Sequence, residues 1–305
     1  MATWEPSSSP TFSIVIAVYD DWGPLDQCLR SLAEQTNAPT FEVTVVDDGS
    51  PEPAPESIRG WSRAFPLTII RQPHAGVAAA RNRGIQDCRG ALLLFVDADC
   101  KAQPDCLAVL AATAADSPQY RCFQLHLAGN SLGLVGRAEQ LRLITLQNHL
   151  LQPNGAIRYL NTAGFAIRRS TVNQATGLFD PAARRGEDTL LLVSLLQRGE
   201  MPLYVAAATV QHAVPLSLVQ YLRKSVRSAY LEAGTYRIIG SKGVRIRVTN
   251  RERLQMLASM WKTSRQPEIG RSAWFVLALR QALPRLVSFA YRFTRPKSET
   301  TPTVS

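Results

Sequence analysis

Ala91-Leu92-Leu93-Leu94-Phe95-Val96-Asp97-Ala98-Asp99 runs from an unbroken apolar stretch straight into two carboxylates one residue apart. An apolar run this short, bounded by Gly90 on one side and polar residues on the other, predicts a strand buried on both faces, as in the centre of a parallel sheet. Carboxylates beside such a strand lose solvation, so an opposite charge has to accompany them. In open α/β sheets ligands gather beyond the carboxyl ends of the strands, which is where Asp97 and Asp99 fall. A divalent cation carrying a phosphorylated ligand meets both conditions. A polar turn, with Asp99 capping the next segment, fits the Asp-x-Asp spacing equally well, and the surrounding chain has to decide.

Upstream, Phe12-Ser13-Ile14-Val15-Ile16-Ala17-Val18-Tyr19 and Phe41-Glu42-Val43-Thr44-Val45-Val46 are β-branched apolar runs with the character of buried strands. Leu25 to Gln35 carries helical periodicity at Leu25, Cys28, Leu29 and Leu32. A short amphipathic segment from Ser57 to Arg63, a strand over Leu67–Arg71 and a helix over Val77–Asp87 lead back to the opening stretch. Strands alternating with helices at this spacing predict a doubly wound, mostly parallel α/β sheet, Rossmann-like in its first half. Three strand ends carry polar clusters: Tyr19-Asp20-Asp21, Asp47-Asp48-Gly49-Ser50 and Asp97-Ala98-Asp99. Right-handed crossovers bring parallel strand ends to one rim.

Four motifs in order then resemble the nucleotide-binding half of the family-2 glycosyltransferases of GT-A fold. They are Ile14-Val15-Ile16-Ala17-Val18-Tyr19-Asp20, Val45-Val46-Asp47-Asp48-Gly49-Ser50, His74-Ala75-Gly76-Val77-Ala78-Ala79-Ala80-Arg81-Asn82-Arg83-Gly84 and Phe95-Val96-Asp97-Ala98-Asp99. The resemblance implies a nucleotide-diphospho-sugar donor. The backbone around Ala17 and Tyr19 walls the base, although many relatives carry Pro at the position of Ala17. Asp48 resembles the acid that accepts a hydrogen bond from the base, and Asp47 supports the turn. Arg81 faces the nucleotide, with a helix-surface salt bridge as its plainer reading. Asp97 meets the ribose or the water around the ion, and Asp99 ligates Mg²⁺ or Mn²⁺. Hard oxygen ligands finished by phosphate oxygens and water suit those cations.

Further on, Gln103-Pro104-Asp105 opens a helix, Arg121 to Leu127 reads as a strand and Gly136 to Gln152 as an amphipathic helix. Asn161-Thr162-Ala163-Gly164-Phe165-Ala166-Ile167-Arg168-Arg169 resembles the family's acceptor-side strand. Glu187-Asp188, at the head of the apolar run Thr189-Leu190-Leu191-Leu192, reads from the residues alone as a pair of helix-capping acids. By resemblance it is the family's Gly-Glu-Asp motif, with Asp188 the general base toward the acceptor hydroxyl and Glu187 its orienting neighbour. His212 lies where relatives carry a histidine near the diphosphate or metal, and a structural histidine is the alternative. Single-displacement inversion is likewise implied by the resemblance alone.

Charge divides the chain. Beyond Leu218 it carries seventeen Lys and Arg against four acids, whereas the first 218 residues carry seventeen against twenty, for a net +10 overall. The expected organisation is a leader over 1–11, a catalytic domain over 12–215 divided near residue 100, a basic helical extension over 216–295 and a disordered tail over 296–305. The extension reads as helices over Leu218–Tyr236, Leu254–Lys262 and Ala273–Phe293. Their mixed apolar and basic character suits an anionic membrane surface, or a helix packed on the catalytic domain with a solvated basic face. Met1 to Pro10 is polar and no run of about 18 apolar residues occurs, so neither a secretory segment nor a spanning helix is expected. Five cysteines without paired spacing predict packed, reduced thiols rather than a disulfide frame or a zinc site. These features point to the cytoplasm, with peripheral attachment to the inner face of the membrane, and to a glycan, glycolipid or small-molecule acceptor. No nucleic-acid partner is expected, because no aromatic RNA-binding signature accompanies the arginines. A sugar-1-phosphate nucleotidyltransferase would need a Gly-rich basic loop after the first strand, where Asp20-Asp21-Trp22-Gly23-Pro24 stands instead. A catalytically inactive nucleotide-sugar or polyanion binder would be expected to lack the metal acids or the Glu-Asp pair, and both are present.

Overall fold

Phe12, Ile14, Val15 and Ile16 are all fully buried, so the first strand, β1 (Phe12–Val18), has core on both faces. The computed structural model describes residues 9–129, 133–173, 175–183, 185–212, 217–241 and 250–294. β2 (Phe41–Asp47) and β3 (Leu67–Arg71) extend the sheet in parallel on one side of β1, and β4 (Leu92–Phe95) joins it in parallel on the other. The order β3-β2-β1-β4 reverses at β1, which makes the β1/β4 junction the switch point where α/β sheets open a crevice.

α1 (Trp22–Ala33) and the single-turn α2 (Glu56–Arg59) cover one face, where Leu25, Leu29 and Ile58 join Ile14, Ile16, Val43 and Val45. α3 (Val77–Ile85) covers the other, its Ala78 and Ile85 clustering with Val15, Leu93 and Phe95. Successive β1 side chains thus serve opposite layers, the period of two expected of a strand. α1 starts at Trp22, earlier than its apolar periodicity predicts, because Pro24 is tolerated in a first turn whose donors have no intrahelical partner.

The second half continues the same sheet. β5 (Cys100–Ala102) follows Asp99 directly, and α4 (Cys106–Asp116) returns to the α1 layer. β6 (Cys122–Gly129), α5 (Gly133–Leu150), β7 (Phe165–Arg168), α6 (Glu187–Gln197) and β8 (Leu203–His212) complete it. The order is β3-β2-β1-β4-β7-β6-β8-β5. β7 runs antiparallel to β4 and to β6, and β5 runs antiparallel to β8. The sheet is therefore parallel from β3 through β4 and mixed beyond β4.

α7 (Leu218–Ser241), α8 (Asn250–Thr263) and α9 (Arg271–Thr294) do not stand apart from this body. Tyr221, Met256, Met260, Ala273 and Leu277 share one apolar cluster with Val135, Ala138 and Leu141 of α5. Ile239 of α7 packs with Leu190 and Val193 of α6. Among the described side chains of α9, Phe275 and Leu279 are exposed apolar residues. No described helix is long and apolar enough to cross a membrane. The leader as far as residue 8, the tail over 296–305 and the arginine-rich stretch 242–249 lie outside the described residues. All five cysteines are free and buried, and burial pushes the thiols of Cys88, Cys106 and Cys122 up to about 12.

Gly90 shows how tightly the opening stretch is seated. A Cβ there would lie 2.4 Å from the Ser13 backbone nitrogen and 2.5 Å from the Phe12 carbonyl carbon, while its own N–H donates to Ser13 Oγ at 2.8 Å. The obstacle is backbone of the central strand, which has no rotamer to change. Gly90→Ala is expected to destabilise the fold by about 1–3 kcal/mol, the usual range for overpacking, read as a lower urea midpoint at unchanged m-value.

Candidate active site

The carboxyl ends of β1 and β4 open onto a cleft of about 1430 Å³ that is closed on its far side by α5, α7, α8 and α9. Ala17, Val18 and Tyr19 form one wall. Tyr19 is 51% exposed and lies against the His74 ring, centroids 4.7 Å apart, leaving an aromatic face at the rim. Asp48 is not on this wall. Its Oδ1 accepts from the Ala75 N–H (2.9 Å) and Gln72 Nε2 (2.8 Å), and its Oδ2 from the Gly76 N–H (2.8 Å). His74 Nδ1 lies 2.9 Å from the same Oδ2. Both oxygens of this buried carboxylate are thus occupied in building the turn before α3, which differs from the expectation that Asp48 reaches for the base. Asp47 takes the supporting part foreseen for it, accepting from the Ser50 N–H at 2.8 Å with Arg71 Nε at 3.5 Å.

Arg81 joins the two halves of the cleft. It is 3% exposed, donates through Nη2 to Asp97 Oδ1 at 2.6 Å and through Nη1 to Glu187 Oε1 at 2.7 Å, and lies 5.5 Å from the centre of the Phe179 ring. Burial by itself pulls the guanidinium pKa down, but the charges of Asp97 and Glu187 outweigh it and hold the pKa above its usual value. A single planar fork thus satisfies an acid of the β4 motif and an acid of α6 at once. Its neighbour Asn82 anchors the chain leading to α6. Asn82 Oδ1 accepts the N–H groups of Leu178 and Phe179, both at 2.9 Å, and its Nδ2 donates to the Phe179 carbonyl at 2.7 Å.

Asp99 and His212 face each other across the β5–β8 pairing, in which Cys100 is in register with His212. His212 Nε2 lies 3.3 Å from Asp99 Oδ2. Burial would lower the imidazole's pKa, but the hydrogen bond and charge of Asp99 raise it above its ordinary value. Burial likewise favours a protonated Asp99, yet His212, with help from Lys224, holds that carboxyl below the usual range. One ligand atom each from Asp99, Cys100 and His212 falls within 4.8 Å of the others. The Cys100 thiol is buried and strongly biased toward its protonated form by burial and by Asp97 and Asp99, so it is a poor ligand for a hard cation. Asp99 and His212, one oxygen and one nitrogen, fit Mg²⁺ or Mn²⁺ with most positions left for phosphate and water. Asp97 stands outside this group, with its Oδ1 held by Arg81.

Asp188 enters from the opposite wall, at the start of α6. Gly186, at φ +81°, caps the helix in a left-handed conformation that other residues adopt with strain. The Asp188 carboxylate accepts from the Thr189 N–H at 2.6 Å. Burial and the adjacent charge of Glu187 push its carboxyl up to about 7, against the opposing pull of Thr189 and Arg81. A carboxylate that exchanges its proton near neutrality inside a cleft has the property required of a general base.

Residues 13–174 match the family described as Glycosyl transferase family 2. The chain belongs to that family. AglE, a glycosyltransferase of Haloferax volcanii, is 37% identical over 97 residues, which is 31% of this family-2 chain and 32% of AglE. Staphylococcus aureus TarS (residues 1–349), solved with UDP, superposes with a TM-score of 0.56 at 18% identity, covering 96% of this chain and 94% of that one. The mannosyltransferase PcManGT of Pyrobaculum calidifontis, solved with GDP-Man and Mn²⁺, gives a TM-score of 0.55 at 16% identity over 96% of this chain and 83% of that one. The fold is GT-A. The chain spans less than a third of the length of AglE and of other curated relatives such as EpsH of Bacillus subtilis.

Ala17, Tyr19, Arg81, Asp97 and Asp99, within the matched residues, and Glu187, Asp188 and His212, beyond them, all line the cleft. The motifs read from the sequence do not account for its far wall. Glu139 and Arg142 of α5 form a buried ion pair, and Tyr221 of α7 donates to Glu139 Oε2 at 2.9 Å. The Arg142 charge holds Glu139 down at about 2 even though burial alone would raise it. Lys224 lines the cleft, helps hold the Asp99 carboxyl down, opposes the rise that burial and the charge of Asp99 cause at Asp21, and has no ion-pair partner among the described residues. Spacing of Glu139 and Arg142 by three residues was the available signal for the first pair, and none existed for Lys224.

The raised Asp188 carboxyl has a consequence for stability. In the unfolded chain it ionises near 3.8, and in the fold near 7, so between those values the fold holds a proton that the unfolded chain releases. Ionised Asp188 therefore disfavours the fold progressively as pH rises from about 4 to 7. Asp188→Asn, which keeps an acceptor for the Thr189 N–H, is expected to raise the melting temperature more at pH 8 than at pH 4.5. A stability gain independent of pH would contradict the assignment.

Proposed function

We propose that the protein is a metal-dependent, inverting glycosyltransferase that moves a sugar from a nucleoside-diphosphate donor to an acceptor hydroxyl. One observation carries this reading: the Asp99–His212 pair and the near-neutral Asp188 carboxyl line the same cleft. Glu187 and Asp97, fixed on one guanidinium, hold the segments bearing them. The UDP of TarS and the GDP-Man and Mn²⁺ of PcManGT, bound on the same fold, support it.

In this reading the base lies on the wall formed by Ala17, Val18 and Tyr19, and Asp48 contributes by holding His74 and the 74–76 turn in place. Asp99 and His212 hold the cation, which when bound neutralises charge on the departing diphosphate as a Lewis acid. Asp97 fixes Arg81 and presents its free oxygen toward the ribose or the ion's water. Lys224 places a further positive charge near the diphosphate. Asp188 accepts the acceptor's proton as the acceptor oxygen bonds to the anomeric carbon. The carbon–oxygen bond to the diphosphate breaks, and its electron pair leaves with the nucleoside diphosphate. Attack from the face opposite the leaving group inverts the anomeric centre.

The same proposal places the protein on the inner face of a membrane. Val219, Leu222 and Val226 of α7 form an apolar groove with Leu283 of α9, and it is edged by the exposed Arg223 and Arg227. Apolar side chains ringed by cations complement an anionic bilayer surface.

In a panel of nucleotide sugars with Mn²⁺, at least one should bind, and Asp99→Ala should weaken that binding. Asp188→Asn should bind the donor normally while losing about 10²- to 10⁴-fold in transfer rate. For the parent, kcat/KM should climb as pH rises toward 7 and level off above it, because the base acts deprotonated. Unchanged turnover in Asp99→Ala rules the mechanism out. Separately, the full chain should co-sediment with phosphatidylglycerol vesicles and not with phosphatidylcholine vesicles, and Arg223→Glu/Arg227→Glu should remove that difference.

A further inference from the structure

The cleft does not end at the donor site. Its lining also takes in Tyr159 and Tyr221, Leu143, Leu146 and Leu150 of α5, and Leu254 and Leu257 of α8. Two of these side chains are conspicuous for their exposure: Leu254 is 68% and Leu257 is 36% accessible although both line the cleft. Leucines three residues apart on one helix present a continuous apolar edge, and here that edge faces open cleft space rather than core. Met256 and Met260, behind it, are buried in the α5–α9 cluster and supply a deformable backing.

The charged groups of this chamber are unevenly matched. Arg142 is paired with Glu139, and Arg158 with Glu252 at 2.7 Å. Arg280 lies over the Tyr221 ring, 5.5 Å from its centre. Arg253, next to Leu254 on the same wall, is exposed and has no ion-pair partner among the described residues. A chamber with an apolar edge, an unpaired guanidinium and an opening toward Asp188 fits a molecule that is apolar at one end and anionic in the middle.

We propose that the acceptor is an anionic amphiphile whose apolar chain lies along Leu254 and Leu257 of α8, whose phosphate-type group meets Arg253, and whose reacting hydroxyl reaches Asp188. The proposal rests on the transferase reading of the cleft and adds the chemical class of the acceptor to it. Neither a free sugar nor a bare phosphate would use the leucine edge. The basic helices beyond residue 218 thereby become part of the acceptor site.

The test is calorimetric titration of the full chain with dodecyl phosphate below its micelle concentration, with inorganic phosphate and dodecyl maltoside as the other arms. Dodecyl phosphate should bind, and both controls should bind at least tenfold more weakly. Leu254→Asp/Leu257→Asp should reduce dodecyl phosphate affinity at least tenfold, and Arg253→Ala several-fold. Nucleotide binding with Mn²⁺ should be unchanged in both variants, which also reports that they are folded. Equal binding by parent and Leu254→Asp/Leu257→Asp overturns the proposal, as does binding lost instead in Val219→Asp, which would place the alkyl chain in the α7–α9 groove. If UDP and GDP both fail to bind the parent with Mn²⁺ while dodecyl phosphate still binds through Leu254 and Leu257, the transferase reading fails and the amphiphile site stands. If a nucleotide binds and dodecyl phosphate does not, the acceptor proposal fails alone.

Discussion

The buried guanidinium of Arg81 is the constraint around which the site is assembled. Asp97 follows β4 and Glu187 opens α6, far apart in sequence, yet both acids end on one side chain. A buried arginine without both partners would leave an uncompensated charge, which costs about 3–5 kcal/mol. The position of α6 relative to the sheet is therefore set at its catalytic end by an ion pair rather than by apolar packing alone. Asn82, one residue on, adds three hydrogen bonds to the segment before α6. α3 thus faces the sheet with its small residues and holds the acceptor half with two polar ones.

The far helices serve a related purpose. α5 lies against β6 and offers its apolar side to α8 and α9, while its Glu139–Arg142 pair faces the cleft and is completed by Tyr221 of α7. Removing α7 to α9 would expose that apolar side of α5 and leave Glu139 without one of its hydrogen bonds. The basic segment and the family-2 core are one folded unit in this sense, and the cleft exists only between them.

What could be read in advance follows from how local each signal is. β4 and its two acids were legible because an apolar run ending in carboxylates is a property of nine adjacent residues. The parallel half was legible for the same reason, strand by strand. Arg81 was read as facing a nucleotide or lying in a surface salt bridge, since its second partner is 106 residues away in sequence and no periodicity links them. Asp48 was read from its place after β2, but the turn that consumes both its oxygens is built by residues 72–76, whose donors are backbone groups invisible in side-chain patterns. The tail was legible in composition alone. Apolar and basic residues on one helix suit a membrane or a neighbouring helix equally, and only the side chains of α5 decide that much of α8 and α9 faces protein.

The pairing at Arg81 also explains how two adjacent carboxylates acquire different chemistry. Glu187 and Asp188 begin the same helix and feel the same favourable dipole. Glu187 is bound to the guanidinium, which answers its charge. Among the described residues Asp188 is bound by its own Thr189, and burial together with the charge of Glu187 beside it raises its carboxyl to about 7. Had Arg81 bridged Asp97 to Asp188 instead, that guanidinium would hold the Asp188 carboxyl in its ionised form and leave it poorly disposed to take a proton. Assigning the guanidinium to one acid leaves the other with its raised pKa, and that division within a single dipeptide lets a structural ion pair tune its neighbour's affinity for a proton.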